Sequence, residues 1–574
     1  MGSDLSETPP KSPILGDFES PGFSRMGGWG ANSFHCSATP DKAPLASLNY
    51  SGLKFCHPLS FSPMLSTIIW LPVVGAILVG VCPESRSRLV ALIIASINLF
   101  WTLSLMAQFD LSHVGFQMQE SLSWLDSLGL TYTLGVDGLS LPLLALNSLL
   151  IWIVVYSSSQ QMVRSRLFYA LTLLVCGGIA GAFLAQNLLL FVLFYEVELV
   201  PLYLMIAIWG GPKRDYAAMK FLIYTAVSGV LILVGFLGLT WLSGASSFDY
   251  GAITTQDLPL KAQLVLLTIL LIGFAIKTPL IPLHTWLPDA YVEASPPVAI
   301  LLGGILAKLG TYGIVRFGLQ LFPETWALVS PGVAIAGVVT VVYGSLTAIS
   351  QKDIKRMVAY SSIGHMGYVL VACAAATPLS LLGAIGQMVS HGLILAILFY
   401  LVGVIEAKVG TRELDKLNGL LNPIRGLPLT SALLILGGMA SAGIPGLVGF
   451  IAEFLVFQGS FPVFPIPTLL CIIASGLTAV YFVILLNRTC FGKLDNASAY
   501  YPNVTWAEQT PALVLAALIF FLGVQPTWLL RWSESTTTAL VATLPIRGEQ
   551  QIAIESQKSG AIPSLAIQLP LMND

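Results

Sequence analysis

The sequence has 574 residues, of which 55% are hydrophobic and only 10% are charged. Soluble globular chains carry about 25% charged residues, so this composition excludes an ordinary soluble domain. The formal net charge of −2 gives no reason to expect a nucleic-acid partner. The seven cysteines are scattered without a C-x-x-C pair, which argues against a disulfide framework, an iron–sulfur cluster or a zinc site.

The first segment of the chain differs in composition from everything that follows. Residues 1–63 are rich in Gly, Ser and Pro and contain no sustained apolar run. They lack the basic and apolar regions of a signal peptide. We interpret the segment as a disordered leader or a misassigned N-terminal extension, with the true start at Met64. A chain starting at Met64 is expected to insert and assemble like the full one.

The rest of the chain consists largely of long apolar runs. A helix rises about 1.5 Å per residue, so crossing about 30 Å of hydrocarbon takes roughly 18 or more residues. Residues from about 550 onward predict a polar, loosely ordered tail. The apolar runs predict fourteen membrane spans, near 64–82, 89–109, 139–157, 168–185, 187–209, 217–243, 262–285, 295–318, 326–349, 357–375, 378–405, 429–457, 466–487 and 511–530.

The basic residues test this map independently, because they should concentrate in cytoplasmic loops. One set of loops and helix ends holds only Lys261 and Arg316, whereas the alternate loops hold fifteen basic residues. The asymmetry predicts that both termini lie on the side away from the cytoplasm. The fifteen are Arg86, Arg88, Arg164, Arg166, Lys213, Arg214, Lys352, Lys355, Arg356, Lys408, Arg412, Lys416, Arg425, Arg488 and Lys493.

Ionisable residues remain inside the predicted spans once the loops are set aside. A charge at the centre of a membrane costs about 2.5–3.5 kcal/mol on insertion scales, so such residues face the bundle interior or a wet cavity. One alone could equally well hold two helices together, but a whole set of acids, lysines and histidines favours a function. The set comprises Glu196, Glu198, Lys220, Lys277, Lys308, His365, His391 and Glu453, with His284 in a broken segment.

Proline and glycine interrupt two spans beside these charges. In the seventh span Lys277 directly precedes T-P-L-I-P-L-H, and in the twelfth span G-I-P-G-L-V-G precedes Glu453. Such interruptions in both halves of a transporter are typical of repeats related by inversion, with an ion path between them. Lys308 lies in a third weakened stretch, which is rich in glycine.

A buried lysine beside a carboxylate can bind and release a proton. Burial favours the neutral lysine, and a nearby carboxylate favours the charged one. Glu196 is a candidate partner for Lys220 or Lys277, and separating such a pair would release the proton of the lysine. Lys308, the histidines and Glu453 could then continue a relay across the bundle.

Three motifs carry a resemblance to a known family. They are Y-E-V-E-L-V-P from Tyr195, K-T-P-L-I-P-L-H-T-W-L-P-D-A from Lys277, and K-R-M-V-A-Y-S-S from Lys355. The chain resembles the antiporter-like subunits of complex I, most closely the chain 4 type, over most of residues 64–530. The resemblance implies an all-α polytopic fold of two inverted five-helix repeats, with helices 7 and 12 broken. The implied segments are 64–160 (flanking helices 1–3), 161–325 (first repeat, helices 4–8), 326–490 (second repeat, helices 9–13) and 491–574 (final helix and tail).

The resemblance also implies roles in proton translocation for the buried residues. Glu198 and His284 would be secondary members of the path. The matching positions are Glu196 (fifth-helix glutamate), Lys220 (sixth-helix lysine), Lys277 and Lys308 (central lysines of helices 7 and 8), His365 and His391 (linking histidines), and Glu453 (twelfth-helix acid, a lysine in sister subunits).

Two sequence details are similar to particular members of that family. The doubled acid of Y-E-V-E-L-V-P looks like the cyanobacterial and plastid form, which passes electrons from ferredoxin or NAD(P)H to plastoquinone. Tyr291 stands where most relatives have a histidine, and with Val292–Pro297 it is similar to the carbon-dioxide-uptake variant. This departure leaves no histidine at that position to carry a role. The resemblance then implies a thylakoid membrane with lumenal termini, neighbouring membrane subunits and lipids as partners and, for the uptake variant, a carbon dioxide hydration protein.

Three functions are compatible with these patterns. The leading one is a proton-pumping subunit of an oxidoreductase that holds no cofactor, metal or redox centre, because the chain has no G-x-G-x-x-G fingerprint and no cysteine cluster. A subunit of a multisubunit sodium/proton antiporter shares these lysines and glutamates and predicts sodium-dependent transport. A purely structural membrane scaffold predicts that Lys277→Met has no effect.

Overall fold

A computed structural model describes residues 64–159, 162–494 and 500–544. The expected leader, 1–63, and the expected polar tail from about 550 lie outside the described residues. The division into repeats at 160/161, 325/326 and 490/491 stays a prediction.

Helices account for most of the described chain, as the apolar runs predict. In the first half they are α1 (Met64–Val81), α2 (Glu84–Gln108), α3 (Ser140–Ser157), α4 (Ser165–Leu184), α5 (Leu188–Val197), α6 (Leu199–Trp209), α7 (Arg214–Ser243), α8 (Leu260–Lys277), α9 (Trp286–Glu293), α10 (Pro296–Leu301) and α11 (Ala307–Gly313). Two π-helices, Leu302–Leu306 and Ile314–Leu319, flank α11 and make one continuous span with α10.

The second half continues in the same way. Its helices are α12 (Pro323–Ile349), α13 (Ile354–Ala375), α14 (Pro378–Val409), α15 (Pro428–Ser441), α16 (Val448–Ser460), α17 (Pro465–Cys490), α18 (Trp506–Val524), α19 (Thr527–Leu530) and α20 (Glu534–Ala542).

The predicted map of membrane spans is confirmed. Among the described residues, thirteen helical segments are long and apolar enough to cross a membrane. The shorter apolar helices α15 and α16 occupy the remaining predicted span, the twelfth, with a break between them. The chain is therefore an integral membrane protein with about fourteen spans.

A β-hairpin corrects the all-α expectation in one place. Strand β1 (Gln117–Leu125) pairs antiparallel with β2 (Leu130–Val136), and a turn containing Gly129 at φ +65° joins them. The hairpin lies between the second and third spans, outside the apolar runs. Hydropathy therefore gave no signal for it, and the alternation of polar and apolar residues in β1 is weak.

Successive spans run in opposite directions, so the bundle has two distinct ends. The end formed by loops 82–83, 210–213, 350–353 and 410–427 carries most of the basic residues, and we call it the basic face. The opposite end carries the β-hairpin, α19 and α20, and we call it the hairpin face. The hydroxyl of Ser533 donates to the carbonyl of Gly138, and the N–H of Gly138 donates to the hydroxyl oxygen of Thr536. These bonds join α20 and the residue before it to the loop after β2.

The spans that carry Lys308, His365 and His391 are the most deeply buried ones. In the span Pro296–Leu319, which contains Lys308, every residue of an 18-residue apolar stretch is buried, and in α13 and α14, which contain His365 and His391, 94% of such a stretch is buried. By contrast, only 33% of the residues in the apolar stretch of α2 are buried, and this helix exposes an apolar side typical of contact with lipid. The central charges therefore face protein, as the cost of exposing them to lipid requires.

Candidate functional site

The seventh span is interrupted directly after Lys277. Helix α8 ends at Lys277, and the chain stays non-helical until α9 begins at Trp286. Pro279 and Pro282 account for the break, because proline lacks a backbone N–H and clashes with the preceding turn. The indole of Trp286 donates to the carbonyl of Ile276 at 2.8 Å and satisfies one carbonyl that the break leaves free. The ammonium group of Lys277 thus stands at the electronegative C-terminal end of α8.

Lys277 forms a buried ion pair with Glu198. Both side chains are only 1% exposed. The Nζ atom also donates to the carbonyl of Tyr195 at 3.3 Å and lies 3.6 Å from the centre of the Tyr195 ring. Carboxylate, carbonyl and aromatic face together offset the cost of removing the ammonium group from water.

Glu196 does not form the ion pair considered for it. Its carboxylate packs against Gly229 of α7, where an added Cβ would collide with it. Lys277 bonds to Glu198, and Lys220 pairs with a different acid. The candidate pairing of Glu196 with either lysine is therefore wrong for this structure. The reason is local: the fifth span changes from α5 to α6 at Glu198, and this turn brings the second acid to the break.

Lys220 lies near the basic face, beside an open cavity of about 420 Å³. Its Nζ donates to Asp289 Oδ2 at 2.8 Å, and Arg356 donates to Asp289 Oδ1 at 3.3 Å. The side chains of Lys220 and Asp289 are 20% and 23% exposed, so water reaches both. The cavity is lined by Lys213, Tyr216, Asp289, Glu293, Arg356 and Arg412, among others.

Lys308 contacts one of the two linking histidines. Its Nζ lies 2.8 Å from Nδ1 of His391 and donates to the carbonyl of Gly303 at 2.5 Å. Gly303 belongs to the π-helix Leu302–Leu306, a geometry that is rare and is often found at functional sites. The rings of His391 and His365 stack with their centres 5.4 Å apart.

His365 connects this group to the twelfth-span acid. Its Nε2 lies 3.1 Å from the carbonyl of Ser441 and 3.5 Å from Glu453 Oε1, and its Nδ1 lies 2.8 Å from the carbonyl of Ser361. Both ring nitrogens face acceptors, which suits the doubly protonated ring with Glu453 as its counter-charge. The hydroxyl of Ser475 donates to Glu453 Oε2 at 2.9 Å.

These contacts define a continuous row of ionisable groups. We call Lys308, His391, His365 and Glu453 the contact series. Each member touches the next, and all four side chains are at least nine-tenths buried. The structure therefore brings together the four residues that the sequence placed on four different spans.

The break between α15 and α16 makes room for the last member of the contact series. Gly443 and Gly446 adopt φ values of +69° and +91°, which favour glycine. A Cβ added to Gly443 would stand 2.9 Å from Glu453 Oε2. Glycine at this position therefore serves both the backbone turn and the space around the carboxylate.

Lys277 and the contact series lie on neighbouring elements. Among the described residues no hydrogen bond joins Lys277 to Lys308. Gly310 packs so closely on Thr278 that an added Cβ would collide with the threonine hydroxyl. That hydroxyl is buried and has no hydrogen-bond partner within the described part of the chain. A free hydroxyl thus lies where the two lysine-bearing helices meet.

His284 stands apart from both groups. Its ring packs edge-on against Tyr343 with 5.2 Å between centres, and its Nδ1 has no hydrogen-bond partner among the residues described. Tyr291 is fully buried, and its hydroxyl donates at 2.9 Å to the carbonyl of Leu302, where the π-helix before Lys308 begins. Tyr291 therefore supports the helix of Lys308.

Sequence reasoning missed three residues of the site. Asp289 lies in the P-D-A part of the second family motif, and Arg356 lies in the third, K-R-M-V-A-Y-S-S. The position of Asp289, an acid that follows a broken span, was the signal that could have indicated it. Ser475 gave no signal, since a serine in a membrane helix usually bonds to its own backbone.

Metal ligands are not grouped in the described chain. No group of three or more His, Cys, Asp or Glu residues that could hold a metal ion lies within residues 64–159, 162–494 and 500–544. The absence of a cofactor stays a prediction. The free cysteines in these ranges are Cys82, Cys176, Cys373, Cys471 and Cys490.

Comparison with known proteins places the chain in a family. The family profile described as NADH:quinone oxidoreductase/Mrp antiporter, TM, matches residues 185–478. The protein named NAD(P)H-quinone oxidoreductase chain 4 1 from Synechococcus sp. (strain JA-2-3B'a(2-13)) is 39% identical, over 85% of this chain and 94% of the relative. The chain belongs to the NAD(P)H-quinone oxidoreductase chain 4 family. The chain 4 protein of Acaryochloris marina is 38% identical, over 84% of this chain and 92% of the relative.

Solved structures share the fold of this chain 4 family member. A chain of respiratory complex I from Thermus thermophilus with bound NADH has a TM-score of 0.77 at 27% identity, covering 84% of this chain and 100% of its own. A chain of the Mrp complex from Dietzia sp. DQ12-45-1b has a TM-score of 0.75 at 21% identity, covering 84% of this chain and 98% of its own. The second likeness establishes the fold alone.

Proposed function

We propose that this chain is a proton-translocating membrane subunit of a photosynthetic complex that passes electrons from NAD(P)H or ferredoxin to plastoquinone. The observation that supports the proposal is the contact series, in which four buried groups that can bind a proton touch one another. Its relatives are named as chains of NAD(P)H-quinone oxidoreductases. The electron transfer belongs to partner chains, and this chain moves protons.

Protons enter this path from the basic face. Under the positive-inside rule the basic face is cytoplasmic, and the hairpin face with both termini is the lumenal side of a thylakoid membrane. The open cavity at Asp289 and Lys220 supplies water and a titratable pair at the cytoplasmic end. From there a proton reaches the Lys277–Glu198 pair inside the bundle.

The central step moves a proton from the Lys277–Glu198 pair to Lys308. Neutralising either member of the Lys277–Glu198 pair leaves the other as a costly unpaired buried charge, which favours a further proton transfer. The Thr278 hydroxyl, placed between the two helices, carries the proton from Lys277 toward Lys308. Lys308 then donates to Nδ1 of His391, and the proton continues through the rest of the contact series.

The direct test is Lys277→Met in the purified complex. We expect the variant to assemble but to lose proton pumping, together with the electron transfer coupled to it. Moving one charge across about 100 mV is worth about 2.3 kcal/mol, so the path needs a group that changes its charge state. The matched control is Lys352→Met, whose side chain is 83% exposed on the basic face. Normal pumping by an assembled Lys277→Met complex in proteoliposomes contradicts the proposal.

A sodium/proton antiporter is the second candidate, because the matching family profile covers Mrp antiporters as well. The same proteoliposomes separate the two functions. Proton uptake that requires electron transfer and is unaffected by sodium supports the oxidoreductase subunit. Proton movement that requires a sodium gradient and proceeds without electron transfer supports the antiporter.

The partners follow from the same proposal. Other membrane subunits of the complex, including neighbouring antiporter-like subunits, and lipids surround the exposed apolar helices. Purification in mild detergent tests this: these subunits should co-purify with the chain. Recovery with a set of antiporter subunits and no quinone-reducing chains would contradict it.

A finer proposal is that this copy serves carbon dioxide uptake. It rests on Tyr291 and the stretch Val292–Pro297, which are similar to the uptake variant. Hydration of carbon dioxide to bicarbonate releases a proton, so a pump that removes the proton favours hydration. The hydration catalyst would be a separate docked protein. Deleting this chain should impair growth at limiting carbon dioxide and spare growth at high carbon dioxide; equal loss at both, or failed respiration with intact uptake, contradicts this specialisation.

A further inference from the structure

A second buried ion pair lies outside the contact series. Arg316 Nη2 donates to Asp137 Oδ2 at 2.5 Å, and both side chains are 3% exposed. Asp137 directly follows β2, and Arg316 lies in the π-helix Ile314–Leu319. The pair therefore stands between the membrane interior and the hairpin face. Arg316 is also one of the two basic residues that the sequence places on this side.

Arg316 belongs to a polar stripe along the eighth span. Lys308, Tyr312, Arg316 and Gln320 follow one another every four residues, a spacing that keeps side chains on one side of a helix. Lys308 is fully buried at one end of the stripe, and Gln320 is exposed at the other. The stripe thus connects a member of the contact series with the hairpin face by a route that bypasses both histidines.

Hydrogen bonds occupy the polar atoms at the outer end of this stripe. Arg316 Nε donates to the hydroxyl of Tyr312 at 3.1 Å, and Nη1 donates to Gln320 Oε1 at 2.9 Å. The second carboxylate oxygen of Asp137 accepts from two backbone N–H groups at the start of α3, at 3.1 and 3.0 Å. Within the described part of the chain Asp137 is the only carboxylate bonded to Arg316, and both of its oxygens therefore already have donors.

Lys308 is directed away from this end. Its Nζ reaches back along the helix to Gly303 and sideways to His391. Helical side chains lean toward the N-terminus of their helix, which for the eighth span is the basic-face side. Lys308 is the side chain of the stripe that can lose a proton at moderate energetic cost, and it faces the contact series.

We propose that Arg316, held in place by Asp137, is a fixed charge that closes the stripe to protons and directs those on Lys308 toward His391. The inference rests on the proposed function, since it assigns a barrier to the same path. A guanidinium group stays protonated in proteins, so it cannot relay a proton, and its charge repels one that approaches. Arg316 is a positioning residue in this scheme.

The test measures passive proton leak with electron transfer switched off. The complex carrying each variant is reconstituted in proteoliposomes, a pH gradient is imposed, and its decay is followed without any redox substrate. Arg316→Gln removes the cation and leaves Asp137 as a buried group that can bind a proton. Asp137→Asn also breaks the ion pair, but it keeps the positive charge of Arg316. The double variant removes both charges and leaves no unpaired buried charge.

We expect Arg316→Gln and the double variant to leak and Asp137→Asn to stay as tight as the unmodified complex. The charge of Arg316 repels a proton that comes within a few ångströms, and such a repulsion slows proton passage by more than about tenfold. In the two variants without this charge the pH gradient should therefore decay about tenfold faster or more. A purely structural pair predicts similar behaviour of the two single variants.

Three results would overturn the proposal: a tight double variant, an Asp137→Asn complex that leaks like Arg316→Gln, or failure of the double variant to assemble. If Arg316→Gln alone fails to assemble, the comparison of the double variant with Asp137→Asn decides. Failure of the proposed function is a separate result, since a complex that never pumps can still hold or leak an imposed gradient.

Discussion

The two central lysines differ in the partners that surround them. Lys277 has a carboxylate, a carbonyl and the face of an aromatic ring around its Nζ, all of which stabilise a positive charge. Lys308 bonds to a carbonyl and to an imidazole, and among the described residues it touches no carboxylate. Because an unpaired buried charge is costly, Lys277 is suited to hold a proton and Lys308 to pass one on. The difference suits the two lysines to different steps of the proposed path.

Ser475 provides the first residue-scale prediction. It donates the one hydroxyl hydrogen bond that Glu453 receives in the described structure. A hydrogen bond to a charged group is worth about 1.5–3 kcal/mol, so without it Glu453 holds its proton more tightly and releases it more slowly. For Ser475→Ala we expect an assembled complex whose pumping rate, measured in proteoliposomes, falls roughly tenfold.

The control for this variant lies on the same helix. Thr468 of α17 is buried, and its hydroxyl donates to the carbonyl of Phe464, the residue before the helix. Thr468→Val therefore removes a hydroxyl of α17 that does not touch Glu453, and it should leave pumping unchanged. Equal rates for the Ser475→Ala and unmodified complexes would show that the serine does not tune Glu453.

At the scale of elements, the break in the twelfth span offers two glycines with different surroundings. Gly443 and Gly446 both have a positive φ, so alanine costs about 1–2 kcal/mol at either position. Only at Gly443 does the new Cβ also crowd Glu453, at 2.9 Å, whereas at Gly446 it meets nothing within 4 Å. We expect both variants to lower thermal stability similarly, and Gly443→Ala alone to impair pumping. Unimpaired pumping by Gly443→Ala would contradict the prediction, because it would show that the Glu453 carboxylate tolerates the added Cβ.

The short helix α9 depends on a lysine from another span. The Nζ of Lys355, at the start of α13, donates to the carbonyls of Val292 and Ala294 at 3.1 and 2.5 Å, and the lysine is 2% exposed. Lys355 thereby satisfies carbonyls at the end of the helix that carries Asp289.

Removing this contact should loosen α9. Lys355→Met keeps the apolar stem and leaves two carbonyls without their donor, at a cost of about 1–3 kcal/mol for each buried one. We expect a lower unfolding temperature of the purified complex in detergent. Lys352→Met, three residues earlier, removes only an exposed ion pair, and such pairs contribute about 0–1 kcal/mol. Equal unfolding temperatures for the two variants would contradict the role of Lys355 as a cap.

The sequence predicts the spans and most of the site well, for a physical reason. Crossing a bilayer requires a long apolar run, and a charge inside such a run is costly enough to stand out, as Lys308 and Glu453 do. The choice of Glu198 over Glu196 as the partner of Lys277 could not be predicted. It depends on how the fifth span turns from α5 to α6, which packing decides. The β-hairpin was missed because it lies outside the apolar runs.

On the scale of the whole molecule, the distribution of charge predicts that the basic face lies on the cytoplasmic side. Cys82 makes this orientation measurable. It lies at the basic face in the loop after α1 and is partly exposed, whereas the other four cysteines of the described chain are buried. A thiol reagent reacts with an accessible thiol far faster than with a buried one. Cys36 and Cys56 lie outside the described residues and are replaced by serine for the experiment.

We expect a membrane-impermeant maleimide to label this variant only from the cytoplasmic side of intact membranes, and from both sides after the membranes are opened. The control is Cys82→Ser in the same background, in which labelling should disappear. Because the spans alternate in direction, the side of this one loop sets the side of every other loop. Labelling of Cys82 from the opposite side alone would invert the whole assignment and place the cavity at Lys220 on the side to which protons are delivered.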